Sequence, residues 1–173
     1  TYGYYLRKLE QQGVKKGVLL EVGCGNGFVL EEALRQGYKR VVGVEPTAQA
    51  IEQASDKVKS SIVCDMMRPG LFAEGEFDAI CMFQVFDHIS DPTTLLEECR
   101  RVLKPGGMVL IFNHNVTSFS ARLLKEASPI IDIEHTYLYS SSTLKKLLRK
   151  CAFEPVASGS AWNRYSLRYL ARL

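Results

Sequence analysis

The chain has 173 residues, 46% of them hydrophobic and 24% charged, with a formal net charge of +3. That length allows one domain whose core needs no disulfide or metal staple, and the composition excludes disordered, fibrous and low-complexity classes. A charge this small, with both signs interspersed, gives no nucleic-acid or membrane footprint.

Cys24, Cys64, Cys81, Cys99 and Cys151 are odd in number and form no CxxC pair. Neither a disulfide framework nor a metal centre is expected, and the compartment expected is the reducing cytoplasm. No apolar run approaches the ~20 residues of a membrane span, and the first residues do not read as a signal peptide.

After an N-terminal helix, Gly17 to Val22 reads as a strand, Asn26 to Gln36 as a helix stopped by Gly37, and Arg40 to Glu45 as a second strand. Thr47 caps a helix expected to reach Lys57. Ser61 to Cys64 and Phe77 to Phe83 read as the third and fourth strands. Asp91-Pro92 supplies an N-cap and a first-turn proline for a helix to Leu103. Lys104-Pro105-Gly106-Gly107 stops that helix before a fifth strand, Met108 to Asn113.

Val116 to Ala127 reads as helical, and Ser140 to Cys151 as an amphipathic helix. Lys145, Lys146, Arg149 and Lys150 form its solvated face. Phe153 to Ser158 reads as a sixth strand. The tail from Trp162 to Leu173 fits a final strand, a surface helix or a homodimer contact. Nearly continuous apolar strands alternating with helices predict an α/β fold, a doubly wound, mostly parallel sheet with helices on both faces. No linker or internal repeat divides the chain, so one domain is expected.

In such a sheet the ligand lies at the carboxyl ends of the strands, where the strand order reverses. Gly23, Gly25 and Gly27 follow the first strand, where missing side chains let a ligand approach the backbone beside a helix N-terminus. A dinucleotide loop requires G-x-G-x-x-G, yet here Phe28 stands at the third position.

The blocks "LLEVGCGNG", "VVGVEP", "IVCDM", "FDAICMFQVFDHISDP", "LLEECRRVLKPGGMVLIFNHN" and "EHTYLYSSSTLKKLLRKCAFEPV" follow one another in that order. Together they resemble the class I S-adenosylmethionine-dependent methyltransferases with a Rossmann-like fold, in the small-molecule branch that includes the ubiquinone-biosynthesis type.

The resemblance implies S-adenosylmethionine as cofactor and S-adenosylhomocysteine as product. It places the methionine part on Gly23, Cys24, Gly25 and Gly27, with Glu21 meeting the ammonium group. Glu45 has two acceptor oxygens for the vicinal ribose hydroxyls. Asp65 resembles the residue that accepts from the adenine amino group, Pro46 and Met66 lie against the adenine faces, and Phe83 and Gln84 border the methionine part.

Methyl transfer is an in-line displacement that positioning alone greatly accelerates, and a base is needed only when the acceptor carries a proton. His135 and His88 are the candidate bases, since an unperturbed imidazole titrates near neutrality. His114, Tyr137 and Tyr139 are expected to line the acceptor pocket. No [DNS]-P-P-[YFW] motif or Pro-Cys pair points to nucleic-acid methylation, so a small-molecule acceptor is expected, with oxygen ahead of nitrogen or carbon. The rival readings are a non-catalytic cofactor-binding protein of the same fold and a nicotinamide-dependent oxidoreductase.

Overall fold

The computed structural model describes residues 1–117 and 135–159. Five parallel strands, β1 (Val18–Val22), β2 (Arg40–Val44), β3 (Ile62–Val63), β4 (Phe77–Phe83) and β5 (Leu103–Phe112), form one sheet in the order β3-β2-β1-β4-β5. The order reverses between β1 and β4, opening a crevice above their carboxyl ends.

Because side chains alternate along a strand, each strand serves two cores. Leu19, Ala79, Cys81 and Phe83 pack with α1 (Tyr2–Gln11) and α2 (Phe28–Arg35) on one face. Leu20, Val22, Ile80 and Met82 pack with α4 (Pro92–Val102) on the other, where Leu144, Leu147 and Leu148 of α5 (Ser141–Lys150) join them. Each fully buried Leu, Ile or Phe stabilises the fold by about 1.5 to 3 kcal/mol. Glu21, between Leu20 and Val22, therefore points with Leu19 toward α1 and α2.

The caps form as the sequence implies. Asp91 accepts from Thr94 N–H at 3.1 Å, and Ser140 and Thr143 make a reciprocal capping box at the start of α5. Other boundaries differ. The helix expected from Thr47 to Lys57 is only α3 (Ala48–Glu52), because Ser55 and Asp56 favour the turn that follows, in which Val58 N–H donates to Ser55 O. β3 is likewise reduced to two residues.

β5 begins at Leu103, ahead of the expected Met108. Its ladder partners jump from Leu103, opposite Phe77, to Met108, opposite Ala79, so Lys104 to Gly107 bulge outward within the strand. Phe153 to Ser158 forms no strand. Phe153 N–H caps α5 by donating to Leu148 O at 2.9 Å, and Pro155 offers no donor. This segment and β5 both line a cleft of about 900 Å³. The readings of Val116 to Ala127 and of Trp162 to Leu173 fall largely or wholly outside the described residues.

Asp78 fixes the bulge. Its Oδ2 accepts from Val18 N–H at 2.7 Å and from Lys104 Nζ at 2.6 Å, and a Cβ on Gly17 would collide with this carboxylate. Burial pushes its pKa up, but Lys104 and the Val18 N–H outweigh burial and hold it below the usual Asp value. A carboxyl depressed in the folded state adds stability above its unfolded pKa of about 3.9 and loses it as pH falls through the folded value. Asp78→Asn is expected to cost about 1 to 2 kcal/mol at pH 7 and much less at pH 2. Urea unfolding at both pH values measures this, and an equal cost at the two would exclude the ion-pair account.

Candidate active site

Gly23 and Gly25 have φ of +69° and +52° in the turn after β1. A side chain on Gly23 would strike Val85, whereas a Cβ on Gly25 would meet open space. Gly25 is thus the point where a ligand can lie against bare backbone. Gly27, φ +75°, is the N-cap of α2.

Glu45, which follows β2 and is 8% exposed, pins this loop. One of its oxygens accepts from Gly25 N–H at 2.9 Å and the other from Thr47 N–H at 2.9 Å. Each carboxylate oxygen keeps a second lone pair for a ligand hydroxyl. Glu21 is 2% exposed, and its Oε2 has no hydrogen-bond partner among the described residues. Burial, then the Glu45 charge, pushes its pKa well above the usual carboxylate range.

The Cys24 side chain is buried beneath the loop. It is 3% exposed and packs against Leu30 and Gly43 in the core, where burial, with Glu21 and Glu45, pushes the thiol up to about 12. Its N–H donates to Val44 O, its carbonyl accepts from Gly27 N–H, and its thiol donates to Gly25 O at 3.8 Å, so the residue braces the loop from within.

Past β3, Asp65 Oδ1 accepts from Met66 N–H at 2.7 Å, and Oδ2 is held by Arg68 at 2.9 Å. Met66 is 61% exposed, which excludes a core role for it. Pro46 is also exposed. At the end of β4, Phe83 is buried and Gln84 adopts a left-handed φ of +59°. Gln84 N–H donates to Phe112 O at 2.8 Å, and its buried Oε1 is unpartnered among the described residues. Such strain in a non-glycine residue accumulates at functional positions.

The three histidines, expected singly from the sequence, meet at one carboxylate. Asp87, 3% exposed, lies in the turn after β4. His114 Nδ1 is 3.4 Å and His135 Nε2 3.6 Å from its Oδ2, while His88 Nε2 is 3.8 Å from Oδ1. The His135 ring stands 4.9 Å from that of His88 and 5.4 Å from that of His114.

Segment 135–139 is tied down by Tyr137 N–H donating to Asp87 O at 3.1 Å and by Val116 N–H donating to Tyr139 O at 3.1 Å. Tyr137 is half-exposed, with its hydroxyl donating to Ser90 O. Tyr139 packs on Phe86, and burial, then Tyr137 and Asp87, pushes its hydroxyl to about 12. His135 is nearly buried, with 8% of its side chain exposed, whereas His88 and His114 are about 40% exposed.

One ligand atom from each of Asp87, His88 and His135 lies within 4.8 Å of the others, a spacing that suits a divalent cation. This donor set is invisible to a search for local metal spacing because it draws on segments nearly fifty residues apart. The sequence signal for Asp87 is an acid next to His88 just past a strand end.

A methyltransferase-domain family model matches residues 20–111. The ubiquinone biosynthesis O-methyltransferase of Dinoroseobacter shibae is 30% identical over 179 aligned positions, covering 95% of this chain and 72% of that protein. The protein of the same name from Cereibacter sphaeroides is 31% identical over 150 positions, covering 80% of this chain and 60% of its own length. The chain thus spans about three fifths of that relative.

Among solved structures, a SAM-dependent methyltransferase from Archaeoglobus fulgidus has a TM-score of 0.70 at 19% identity, covering 99% of this chain and 82% of its own. One from Thermotoga maritima, described as a possible histamine N-methyltransferase, has a TM-score of 0.66 at 24% identity, covering 85% and 69%. These structures establish the fold. With the family match spanning the glycine loop through β5, the chain belongs to the class I S-adenosylmethionine-dependent methyltransferases.

Proposed function

We propose that this chain transfers a methyl group from S-adenosylmethionine to an oxygen of a small-molecule acceptor in the cytoplasm. The observation that carries the reading is the cluster of three imidazoles around buried Asp87, set at the strand ends beside the glycine loop. The curated relatives, named as O-methyltransferases of ubiquinone biosynthesis, support oxygen over nitrogen or carbon.

The site fits the cofactor's chemistry. The unpartnered, buried Glu21 Oε2 suits its ammonium group, the remaining Glu45 lone pairs suit vicinal ribose hydroxyls, and the open face of Gly25 admits the methionine chain. Pro46, Asp65 and Met66 border the adenine end, and Phe83 and Gln84 the other. The sulfonium supplies a methyl group already activated for displacement. What remains for the protein is to position the acceptor and remove its proton, the role assigned to His135 with Asp87 orienting it.

A second reading rests on the same residues. Asp87 Oδ1 is buried without a hydrogen-bond partner, and its spacing to His88 and His135 suits a divalent cation that would acidify the acceptor hydroxyl in place of an imidazole.

The deciding experiment measures S-adenosylhomocysteine release with phenols, catechols and amines, with and without EDTA. Turnover of phenols or catechols that survives EDTA supports the imidazole base. Turnover lost to EDTA and restored by a divalent metal supports the cation, and turnover of amines alone would overturn the oxygen assignment. Under the imidazole reading, His135→Ala is expected to lower turnover by about 10²- to 10⁴-fold. Titration with S-adenosylhomocysteine should show its affinity within about twofold of the parent, since only acceptor chemistry is lost.

A further inference from the structure

The N-terminal helix adds an aromatic group to the crevice that nothing in the glycine-loop motif anticipates. The Tyr2 ring is stacked on Phe83 at 4.4 Å and on Phe28 at 5.6 Å, with Phe112 against it at 5.4 Å in an edge-on arrangement. Phe83 ends β4, Phe112 ends β5 and Phe28 follows the glycine loop, so one phenol touches three segments that border the crevice. Tyr5 extends the contact with its ring 5.0 Å from Phe112.

The helix is anchored there. Gln36 Nε2 donates to Gly3 O at 2.7 Å, and a Cβ on Gly3 would run into the Glu32 carboxylate. Glu21 leaves β1 on this same face of the sheet, alternating with Leu20 and Val22 of the opposite core. Burial, then Glu21, pushes the Tyr2 hydroxyl above its ordinary value.

We propose that Tyr2 is a cofactor-positioning residue whose hydroxyl, together with Glu21 Oε2, receives the ammonium group of the bound cofactor's methionine part. A phenol oxygen accepts from the ammonium group while its O–H donates to a carboxylate, so one side chain satisfies both partners. The stack of Phe28, Tyr2 and Phe83 holds the hydroxyl in place with little rotamer entropy left to lose. The inference rests on the methyltransferase reading and deepens it at the methionine end of the site.

Tyr2→Phe keeps the stacked rings and removes only the hydroxyl, so folding should persist, as a thermal melt will verify. Isothermal titration is run with S-adenosylmethionine, S-adenosylhomocysteine and 5′-methylthioadenosine, which lacks the amino-acid portion. The expected result is a rise in Kd of about three- to tenfold for the first two ligands, the range of one neutral hydrogen bond. The Kd of 5′-methylthioadenosine should stay within about twofold. Equal weakening of all three ligands, or no weakening of the first two, overturns the proposal. A parent protein that binds neither sulfur amino acid overturns the methyltransferase reading itself, whereas normal parent binding with a silent Tyr2→Phe overturns this inference alone.

Discussion

Glu45→Ala is expected to raise the Kd for S-adenosylhomocysteine by about 30- to 1000-fold, or about 2 to 4 kcal/mol. Two losses add. The ribose end loses both carboxylate acceptors, and the glycine loop loses the group that accepts from Gly25 N–H and Thr47 N–H. Gly25 sits at φ +52°, where a Cβ would meet open space, so the Glu45 bond is a principal restraint on its orientation. Glu45→Gln separates the two effects, because an amide keeps one acceptor and should give an intermediate Kd. Titration calorimetry reads the affinities, and hydrogen exchange at Gly25 N–H should accelerate in the alanine variant. An unchanged Kd in a folded Glu45→Ala protein would remove Glu45 from the ligand site.

The signals legible in the sequence were the local ones. Alternation of apolar runs with capped helices located β1, β2, β4, α2, α4 and α5, and Asp91-Pro92 and Ser140 marked helix starts that the structure reproduces. The positions of the glycine triplet and Glu45 were legible because they depend on backbone conformation and strand ends. Features that depend on long-range pairing were not. Whether Phe153 to Ser158 becomes a strand depends on a ladder partner, and the bulge at Lys104 to Gly107 depends on register against β4.

The same limit governs the site. Gln84 carries a strained φ that no propensity rule assigns to glutamine, and Asp87 gains its importance only when His88, His114 and His135 converge on it from three segments. Tyr2 reaches the crevice only because α1 folds back over α2. Cys24 shows the converse. It lies inside a legible motif, yet its thiol is buried against Gly43 of β2.

Glu21→Gln should separate stability from binding. A carboxyl whose folded pKa is raised is tolerated while protonated, and it withdraws stability as pH rises from the unfolded value, near 4.3, through the folded one. Burial and the Glu45 charge raise Glu21 in this way. The free protein should therefore gain thermal stability from Glu21→Gln at pH 8 and little at pH 4. Cofactor binding should move oppositely. A ligand ammonium beside Glu21 favours the ionised carboxylate, so binding to the parent releases a proton and tightens with pH between the free and bound pKa values. Glutamine supplies neither the charge nor the proton, and its Kd should be about 10- to 150-fold weaker and flat with pH over that interval. Calorimetry at one pH in buffers of different ionisation enthalpy counts the proton directly. Proton release in the parent but not in Glu21→Gln places the ammonium at this carboxylate. Equal release in both proteins would mean that another group titrates and that Glu21 is simply a buried acid of the core.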